Sequence, residues 1–105
     1  MILIRVQGVE LDRAARRVRV RDQLFNLPRK EFELLEFLML NAGIGQTRQK
    51  LLARLWGDPF HGDEKTLDVH IRRRRRKVEV DPHHPTLIRT IRGYGYIVDQ
   101  EPAEG

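Results

Sequence analysis

Six basic side chains follow one another without interruption from Arg72 to Lys77, within the stretch HIRRRRRKV. Guanidinium groups form paired hydrogen bonds with phosphates and with the edge of guanine, so the run has the chemistry of a nucleic-acid contact. A helix turns about 100° per residue, however, and six consecutive side chains cannot share one of its faces. The run must therefore be divided between different surfaces of the molecule.

A helix is predicted over residues 63–80, and its geometry distributes the basic side chains between a core-facing side and an outward side. Leu67, Ile71 and Val78 lie on one stripe of that helix, which we expect to face the core. Arg74 falls on the same stripe. Because a buried charge without a partner is costly, we expect Arg74 to lay its stem along apolar surface and to carry its guanidinium out to water.

The opposite side of this helix combines long cations with a small hydroxyl and a branched apolar side chain. Such groups contact phosphates, guanines and thymine methyls in the major groove of DNA. A solvated charged face is the alternative interpretation, since basic helices also bind membranes and protein partners. The residues of this side are Lys65, Thr66, Val69, Arg72, Arg73 and Arg76, with His70 and Lys77 along one edge and Arg75 beside the core on the other.

The composition of the chain favours a polyanionic partner. Its 105 residues include 20 basic and 15 acidic side chains, which give a formal net charge of +5 and a pI of about 10.2. The absence of cysteine excludes disulfides and thiolate chemistry. No apolar run has the length of a membrane span, so we expect a soluble cytoplasmic protein with a single domain over residues 1–105.

The other elements are predicted from changes in the hydrophobic period. Alternating valines and arginines indicate short strands within residues 2–27, which form an antiparallel sheet. Pro28 begins a helical pattern over residues 29–41, a second helix is expected over 47–56, and two strands joined by a glycine turn form a hairpin over 86–98. Strands, three helices and a hairpin in this order predict an α+β winged helix-turn-helix.

Enzymes and metal proteins are disfavoured by the residues that could do chemistry. The histidines show no ligand spacing with acidic residues, so we expect no metal and no cofactor. The sequence contains no catalytic triad, paired-carboxylate cleft or phosphate-binding glycine loop, and we do not expect an enzyme. A basic RNA-binding domain and a protein-interaction module are the two alternatives, although the few aromatic residues disfavour a stacking surface for RNA.

Two motifs carry a resemblance to a known family. LDVHIRR at 67–73 and TIRGYGY at 90–96, at this separation, resemble the OmpR/PhoB-type DNA-binding domain of two-component response regulators. EFELLEFL at 31–38 and TRQKLLARLWG at 47–57 match the first two helices of that family, and the likeness covers residues 2–98. The resemblance implies an N-terminal four-stranded antiparallel sheet, three helices and a C-terminal hairpin wing.

The resemblance also implies a function and partners. Members of this family bind double-stranded promoter DNA as output domains of two-component phosphorelays, forming head-to-tail dimers on direct repeats. Their third helix enters the major groove and the wing reaches the minor groove. The loop at 57–62 matches a segment that contacts RNA polymerase in some relatives. Such regulators carry a receiver domain that this chain lacks. The chain is therefore either a fragment of a longer regulator or a stand-alone effector, and we favour the fragment.

Roles for single residues follow from the resemblance by position. Arg73 is expected to be the main base-reading residue, with Thr66 and Val69 near bases, and Arg92 of the wing is expected to enter the minor groove. Contacts with the DNA backbone are expected from Arg72, Arg75, His70 and the indole N–H of Trp56, and on the wing from Thr90, Gly93 and Tyr96. Packing at the edge of the core is the alternative role for Trp56. Lys65 and Arg76 join this set through their place on the outward face of the helix.

Arg74 departs from the family, which usually has leucine at this position. We therefore expect Arg74→Leu to raise the stability of the protein with little effect on DNA affinity. The first helix departs as well, because Leu27 and Pro28 stand where the family places a capping serine or threonine.

Overall fold

The computed structural model describes residues 2–57, 60 and 62–100, and the chain begins with an antiparallel sheet of four sequential strands. These strands are β1 Leu3–Val6, β2 Val9–Asp12, β3 Arg17–Val20 and β4 Gln23–Asn26. Successive side chains of a strand point to opposite faces, and in β3 the two valines are buried while the two arginines are exposed. The sheet therefore has one apolar face toward the core and one face in water, as predicted.

Two of the turns of this sheet use the left-handed backbone region. Gln7 and Gly8 have φ angles of 50° and 80°, and Arg21 and Asp22 have φ angles of 45° and 68°. Two-residue turns of this handedness match the right-handed twist of the flanking strands. These two turns set the register that places the valines on one face.

Three helices follow the sheet: α1 Arg29–Leu40, α2 Arg48–Trp56 and α3 Lys65–Val78. The Thr47 hydroxyl accepts a hydrogen bond from the backbone N–H of Lys50 at 3.1 Å, so it caps the N-terminus of α2. Gly57, at a φ of 108°, ends the same helix. Pro28 precedes α1 without a side-chain cap, as the sequence of that turn implies.

The third helix is shorter than predicted at both ends. It begins at Lys65, because Asp63 lies outside it and accepts the backbone N–H of Lys65 on its carboxylate at 2.9 Å. It ends at Val78, after which Glu79 is extended. A negative side chain directly before the first turn suits the positive end of the helix dipole.

A second, three-stranded sheet contains the wing. Its strands are β5 Gln46–Thr47, β6 Ile88–Ile91 and β7 Gly95–Val98, in the order β5-β7-β6. The hairpin of β6 and β7 is predicted, whereas β5 is not, because two residues are too few to show a period. A Cβ atom at Gly95 would lie 1.9 Å from the carbonyl oxygen of Gln46, so the pairing of β5 with β7 requires glycine there.

A buried carboxylate fixes the connection between α3 and β6. Glu79 is 3% exposed and accepts three backbone N–H groups, from Thr86 at 2.9 Å, Leu87 at 3.0 Å and Ile88 at 2.7 Å. Three such bonds compensate a carboxylate for the loss of water. The start of the wing is thereby tied to the end of α3.

One cluster of buried apolar side chains joins both sheets and the three helices. Leu35 and Leu38 of α1, Leu51 of α2 and Leu67 and Ile71 of α3 are at most 1% exposed. The arrangement of four strands, three helices and a C-terminal hairpin confirms the predicted α+β winged helix-turn-helix. Within the part of the chain that the structure describes, no helix is long and apolar enough to cross a membrane.

Candidate nucleic-acid interface

The two sides of α3 differ as the sequence predicts. The stripe of Leu67, Ile71, Arg74 and Val78 is buried against the core. On the other side Lys65, Val69, Arg72, Arg73 and Arg76 are exposed, and Thr66 and His70 are half-buried. Val69, the one apolar residue in this set, is 42% exposed. The outward side of α3 is therefore a cationic surface with an apolar side chain within it.

The expectation that Arg74 reaches water is wrong. Its side chain is 1% exposed, and its Nη2 lies 2.7 Å from Oε2 of Glu31, which is itself buried. Glu31 belongs to the first turn of α1 and is buried in the same interior. The Arg74 guanidinium therefore binds this carboxylate instead of extending to water. Burial lowers the pKa of the Arg74 guanidinium, and the hydrogen bond with Glu31 opposes that shift.

Arg73, the expected base-reading residue, lies next to the same carboxylate. Its side chain is 58% exposed, and its Nη1 is 3.9 Å from Oε1 of Glu31. This separation is at the limit for an ion pair and too long for a hydrogen bond. The guanidinium of Arg73 is therefore attracted to Glu31 without being fixed by it.

Arg75 lies against the wing. Its Nε donates to the carbonyl oxygen of Ile88 at 3.0 Å, and its Nη2 donates to the Thr90 hydroxyl at 2.8 Å. The guanidinium also lies 5.7 Å from the centre of the Tyr96 ring, which is a cation–π distance. Burial lowers the pKa of Arg75, and Tyr96 and Glu79 oppose that shift. Arg75 thus joins α3 to β6 while it keeps its charge at their junction.

An Asp68 carboxylate joins three elements at this junction. Arg48 of α2 binds it through two hydrogen bonds, Nη1 to Oδ1 at 2.5 Å and Nη2 to Oδ2 at 3.0 Å. The Tyr96 hydroxyl of β7 donates to Oδ1 at 2.5 Å. The bond with Arg48 holds the pKa of Asp68 below its usual value, while burial and this carboxylate raise the pKa of Tyr96 to about 12.

Sequence reasoning missed Arg48 and Asp68. An acid within an otherwise basic helix and an arginine directly after a cap were the available signals, but their meeting depends on the packing of α2 against α3. The resemblance places Tyr96 against a DNA backbone, and in this structure its hydroxyl donates a hydrogen bond to Asp68. Tyr96 is 6% exposed, so most of its side chain packs inside the junction between α2, α3 and β7.

Trp56 and His70 meet at the other edge of α3. Their ring centres are 5.1 Å apart with the planes at 83°, an edge-to-face contact, and Trp56 is half-buried. Nδ1 of His70 lies 2.9 Å from the carbonyl oxygen of Thr66. Because a carbonyl oxygen only accepts, Nδ1 carries the proton, and Nε2 is the nitrogen that a further partner would meet.

The tip of the wing is exposed. Arg92, Gly93 and Tyr94 occupy the turn, with Gly93 at a φ of 73° and Tyr94 48% exposed. In β6, Thr90 holds Arg75, and Arg89 forms two hydrogen bonds with Asp99, at 2.7 and 3.1 Å. Arg92 is therefore presented by a turn whose base is anchored to α3 and to the end of β7.

A cleft of about 760 Å³ separates α3 from the wing. Four arginines line it, Arg72, Arg75, Arg76 and Arg89, together with the single acid Asp68. Of the other predicted residues, Thr90 and Tyr96 also line the cleft, while Trp56 and His70 lie apart from it and Arg92 and Gly93 lie at the tip of the wing. A concave surface with this excess of guanidinium groups suits a chain of phosphates.

Further expectations concern residues away from this surface. Among the described residues, no group of three or more histidines, cysteines or acids is arranged to hold a metal ion. His84 contacts Asp81 through a 2.9 Å bond, and His61 lies outside the described residues. Three of the six residues of the predicted polymerase contact at 57–62, namely 58, 59 and 61, also lie outside them.

Comparisons with known proteins agree with this architecture. The family model described as "Transcriptional regulatory protein, C terminal" matches residues 11–98. Sensory transduction protein RegX3 of Mycobacterium tuberculosis is 48% identical over 88 residues, which cover 84% of this chain and 39% of that protein. The chain thus spans about two fifths of the length of this relative.

Solved structures give the same result. Response regulator DrrB, a Thermotoga maritima OmpR/PhoB homologue, has a TM-score of 0.85 and 38% identity to this chain, covering 93% of it and 44% of DrrB. The RstA DNA-binding domain of Klebsiella pneumoniae, in complex with the RstA box, has a TM-score of 0.85 and 28% identity, covering 95% of this chain and 99% of that domain. The chain therefore belongs to the family of C-terminal domains of transcriptional regulatory proteins, of the OmpR/PhoB type.

Proposed function

We propose that this chain binds double-stranded DNA with sequence selectivity, as the output domain of a transcriptional response regulator. The observation that carries the proposal is the division of α3 into a buried stripe and an exposed cationic side that borders an arginine-lined cleft. A related domain, RstA, is known in complex with its DNA box. In the complex, α3 would lie in the major groove and the wing would enter the adjacent minor groove.

The size and chemistry of α3 suit a major groove. The helix has 14 residues and so a length of about 21 Å, and the groove of B-DNA is about 12 Å wide. Arg73 would read guanine through its two N–H edges, while Thr66 and Val69 would lie near bases. Lys65, Arg72 and Arg76 would bind phosphates on either side of the groove.

The cleft between α3 and the wing would hold one DNA strand. Arg75 would offer its charge to a phosphate there, although two of its N–H groups are engaged with Ile88 and Thr90. Thr90 would contact the same strand beside it. Tyr96 would form part of the wall through its ring, since its hydroxyl is engaged with Asp68.

The two outer parts of the surface would bind the flanking backbone. Trp56 would donate its indole N–H to a phosphate, and His70 would donate to the same strand from Nε2 when both of its ring nitrogens carry a proton. On the wing, Arg92 would enter the minor groove, where a narrow A·T-rich segment has an enhanced negative potential. Gly93 would let the turn approach the backbone closely, because it has no side chain.

We further propose the partners that the resemblance implies. Two copies would bind head-to-tail on direct repeats, and in the cell the chain would act with a receiver domain under the control of a cytoplasmic phosphorelay. The description of RegX3 as a sensory transduction protein supports the second of these. The loop at 57–62 would contact RNA polymerase.

Enrichment of duplexes from a randomised pool tests the function even though the target sequence is not known. Wild-type protein should enrich a short motif, present twice in the same orientation at a spacing of about one helical turn. Arg19→Ala is a matched control, because it removes one exposed arginine from the outer face of β3, far along the chain from α3, and should enrich the same motif. A pool that shows no motif after repeated rounds would contradict sequence-selective binding. Preferential enrichment of single-stranded RNA from a mixed pool would favour the RNA-binding alternative.

A further inference from the structure

Glu31 and Arg74 form a buried ion pair between α1 and α3. Glu31 is 3% exposed and lies on the same helical stripe as Leu35 and Leu38, while Arg74 is 1% exposed and lies on the stripe of Ile71. Their 2.7 Å bond joins Nη2 to Oε2. Nε and Nη1 of Arg74 have no hydrogen-bond partner among the described residues, so the carboxylate is the acceptor on which this buried guanidinium depends.

The same carboxylate faces a second arginine. Oε1 of Glu31, the oxygen that Arg74 does not bind, lies 3.9 Å from Nη1 of Arg73. One arginine is thus buried and bonded, and its neighbour is 58% exposed and only attracted. Glu31 is therefore placed between a guanidinium that holds α3 to α1 and the guanidinium to which we assign base reading.

The state of Arg73 depends on which cation neutralises Glu31. A buried carboxylate attracts a cation strongly, because few water dipoles screen it. With Arg74 bonded to it, most of that attraction is met inside the protein, and Arg73 can leave at small cost. With an uncharged side chain at position 74, Arg73 would be the nearest arginine, and its flexible stem would let it close the 3.9 Å gap.

We propose that Arg74 is a positioning residue for Arg73: as the buried counter-ion of Glu31, it keeps the Arg73 guanidinium available to DNA. The proposal rests on the proposed DNA-binding function. It replaces the view that position 74 concerns packing alone, and it makes the DNA affinity of the protein depend on a residue that no base or phosphate would touch.

The test is a set of four proteins titrated by fluorescence anisotropy against a duplex enriched by the wild-type chain. Arg74→Leu should weaken binding about tenfold, because Arg73 is drawn to Glu31. The double variant Glu31→Gln with Arg74→Leu should bind within about twofold of wild type, since the competing carboxylate is gone. Glu31→Gln alone should bind at least as tightly as wild type. An Arg74→Leu variant that binds like wild type, or a double variant as weak as Arg74→Leu, would overturn the proposal.

Two controls separate positioning from misfolding. Circular dichroism selects a temperature at which every variant is folded. If Arg74→Leu does not fold at any temperature, Arg74→Gln takes its place, since glutamine keeps a donor for Glu31 but has no charge. Arg74→Gln should show the same weakening and the same rescue by Glu31→Gln, and a lack of either would overturn the proposal.

A measurement without DNA separates this proposal from the proposed function. The ¹⁵Nε relaxation of Arg73 should report a mobile side chain in the wild type, an ordered one in Arg74→Leu, and a mobile one again in the double variant. Unchanged relaxation in Arg74→Leu would overturn the positioning role even if the protein binds DNA. A protein that shows the expected relaxation but binds no duplex would contradict the proposed function instead.

Discussion

At the scale of single residues, neighbouring arginines of α3 differ in what they contact rather than in type. Arg74 is bonded to Glu31 in the core, Arg75 is bonded to the wing, and Arg72 and Arg76 face the cleft. Their environments differ because each residue of a helix is rotated by about 100° from the one before it, so that consecutive side chains point in different directions. A row of like residues in a sequence can thus contain a core residue, a connection between elements and a binding surface.

Breaking the buried pair should cost more stability than removing both partners. Glu31→Leu leaves the buried Arg74 guanidinium without its partner, which typically destabilises a protein by about 3–5 kcal/mol. Arg74→Leu should also destabilise the protein, but by less than this, because Arg73 can move to Glu31 at the cost of leaving water. The double variant leaves two apolar side chains and should lose less than either single variant. Urea denaturation of the wild type, the two single variants and the double variant measures these losses of stability. The sequence alone predicts that Arg74→Leu is stabilising, because it does not show the partner, and a rise in stability would show that the bond with Glu31 contributes nothing.

Arg73→Ala should change base preference as well as affinity. Loss of a two-pronged contact with guanine costs about 1–3 kcal/mol on the preferred duplex and little on others. Arg76→Ala is the matched control, since it removes an exposed arginine of the same helix that we assign to a phosphate. It should weaken all duplexes alike. Equal losses on preferred and scrambled duplexes for Arg73→Ala would make Arg73 a phosphate contact.

At the scale of elements, the central feature is that α2, α3 and β7 meet at one carboxylate. Asp68 accepts from Arg48 of α2 and from Tyr96 of β7, and Arg75 adds a second connection between α3 and the wing. The angle between α3 and the wing is therefore set by charge-assisted hydrogen bonds as well as by apolar packing. A reading helix and a wing that must reach neighbouring grooves require such a fixed angle.

Tyr96→Phe should lower stability by about 1.5–3 kcal/mol, the usual loss for a hydrogen bond to a charged group. Asp68→Asn should lower it too, with a characteristic pH dependence. The pKa of Asp68 is depressed in the folded state, so its contribution is present at neutral pH and is lost as pH falls through that depressed value. Chemical denaturation from pH 7 to pH 2 should show the wild type and Asp68→Asn converging at the acid end. If the difference in free energy of unfolding between the two proteins stayed constant from pH 7 to pH 2, the Asp68 charge would have no role in stability.

Gly95→Ala should be far more damaging than Gly93→Ala. A Cβ atom at Gly95 would overlap the Gln46 carbonyl oxygen, so β5 and β7 would have to separate. At Gly93 a Cβ atom meets nothing within 4 Å, and only the φ of 73° is unfavourable for alanine. We expect a loss of about 1–2 kcal/mol for Gly93→Ala and a larger one for Gly95→Ala. Thermal unfolding of the two variants shows which of them loses more stability. Equal losses of stability would contradict the close approach of the backbones at Gly95.

Periodic elements were predictable, and contacts between them were not. The buried valines of β3 and the core stripe of α3 follow from periods of two and of 3.6 residues. The two-residue strand β5 has no period, and Asp68 meets Arg48 only after the helices have packed. The pairing of Glu31 with Arg74 had a signal in each helix, since each core stripe carries one charge, and the two signs are opposite.

At the scale of the whole molecule, the sequence predicted which surface is basic but not the shape of that surface. The outward side of α3 follows from helical geometry alone. The cleft that Arg72, Arg75, Arg76 and Arg89 line depends on how the wing packs on α3, and Glu79 and Asp68 determine that packing. The resemblance to the OmpR/PhoB type supplied the functional interpretation, and membership of the family is shown by the match over residues 11–98.

The most direct test of base reading by α3 is the affinity of the wild-type chain for an enriched duplex and for its scrambled counterpart, measured over a series of salt concentrations. The enriched duplex should bind about a thousandfold more tightly or better at physiological salt. Both affinities should fall as salt rises, by about 0.9 log units per phosphate contact for each log unit of salt. Equal affinity for the two duplexes at every salt concentration would contradict base reading by α3, and with it the central claim.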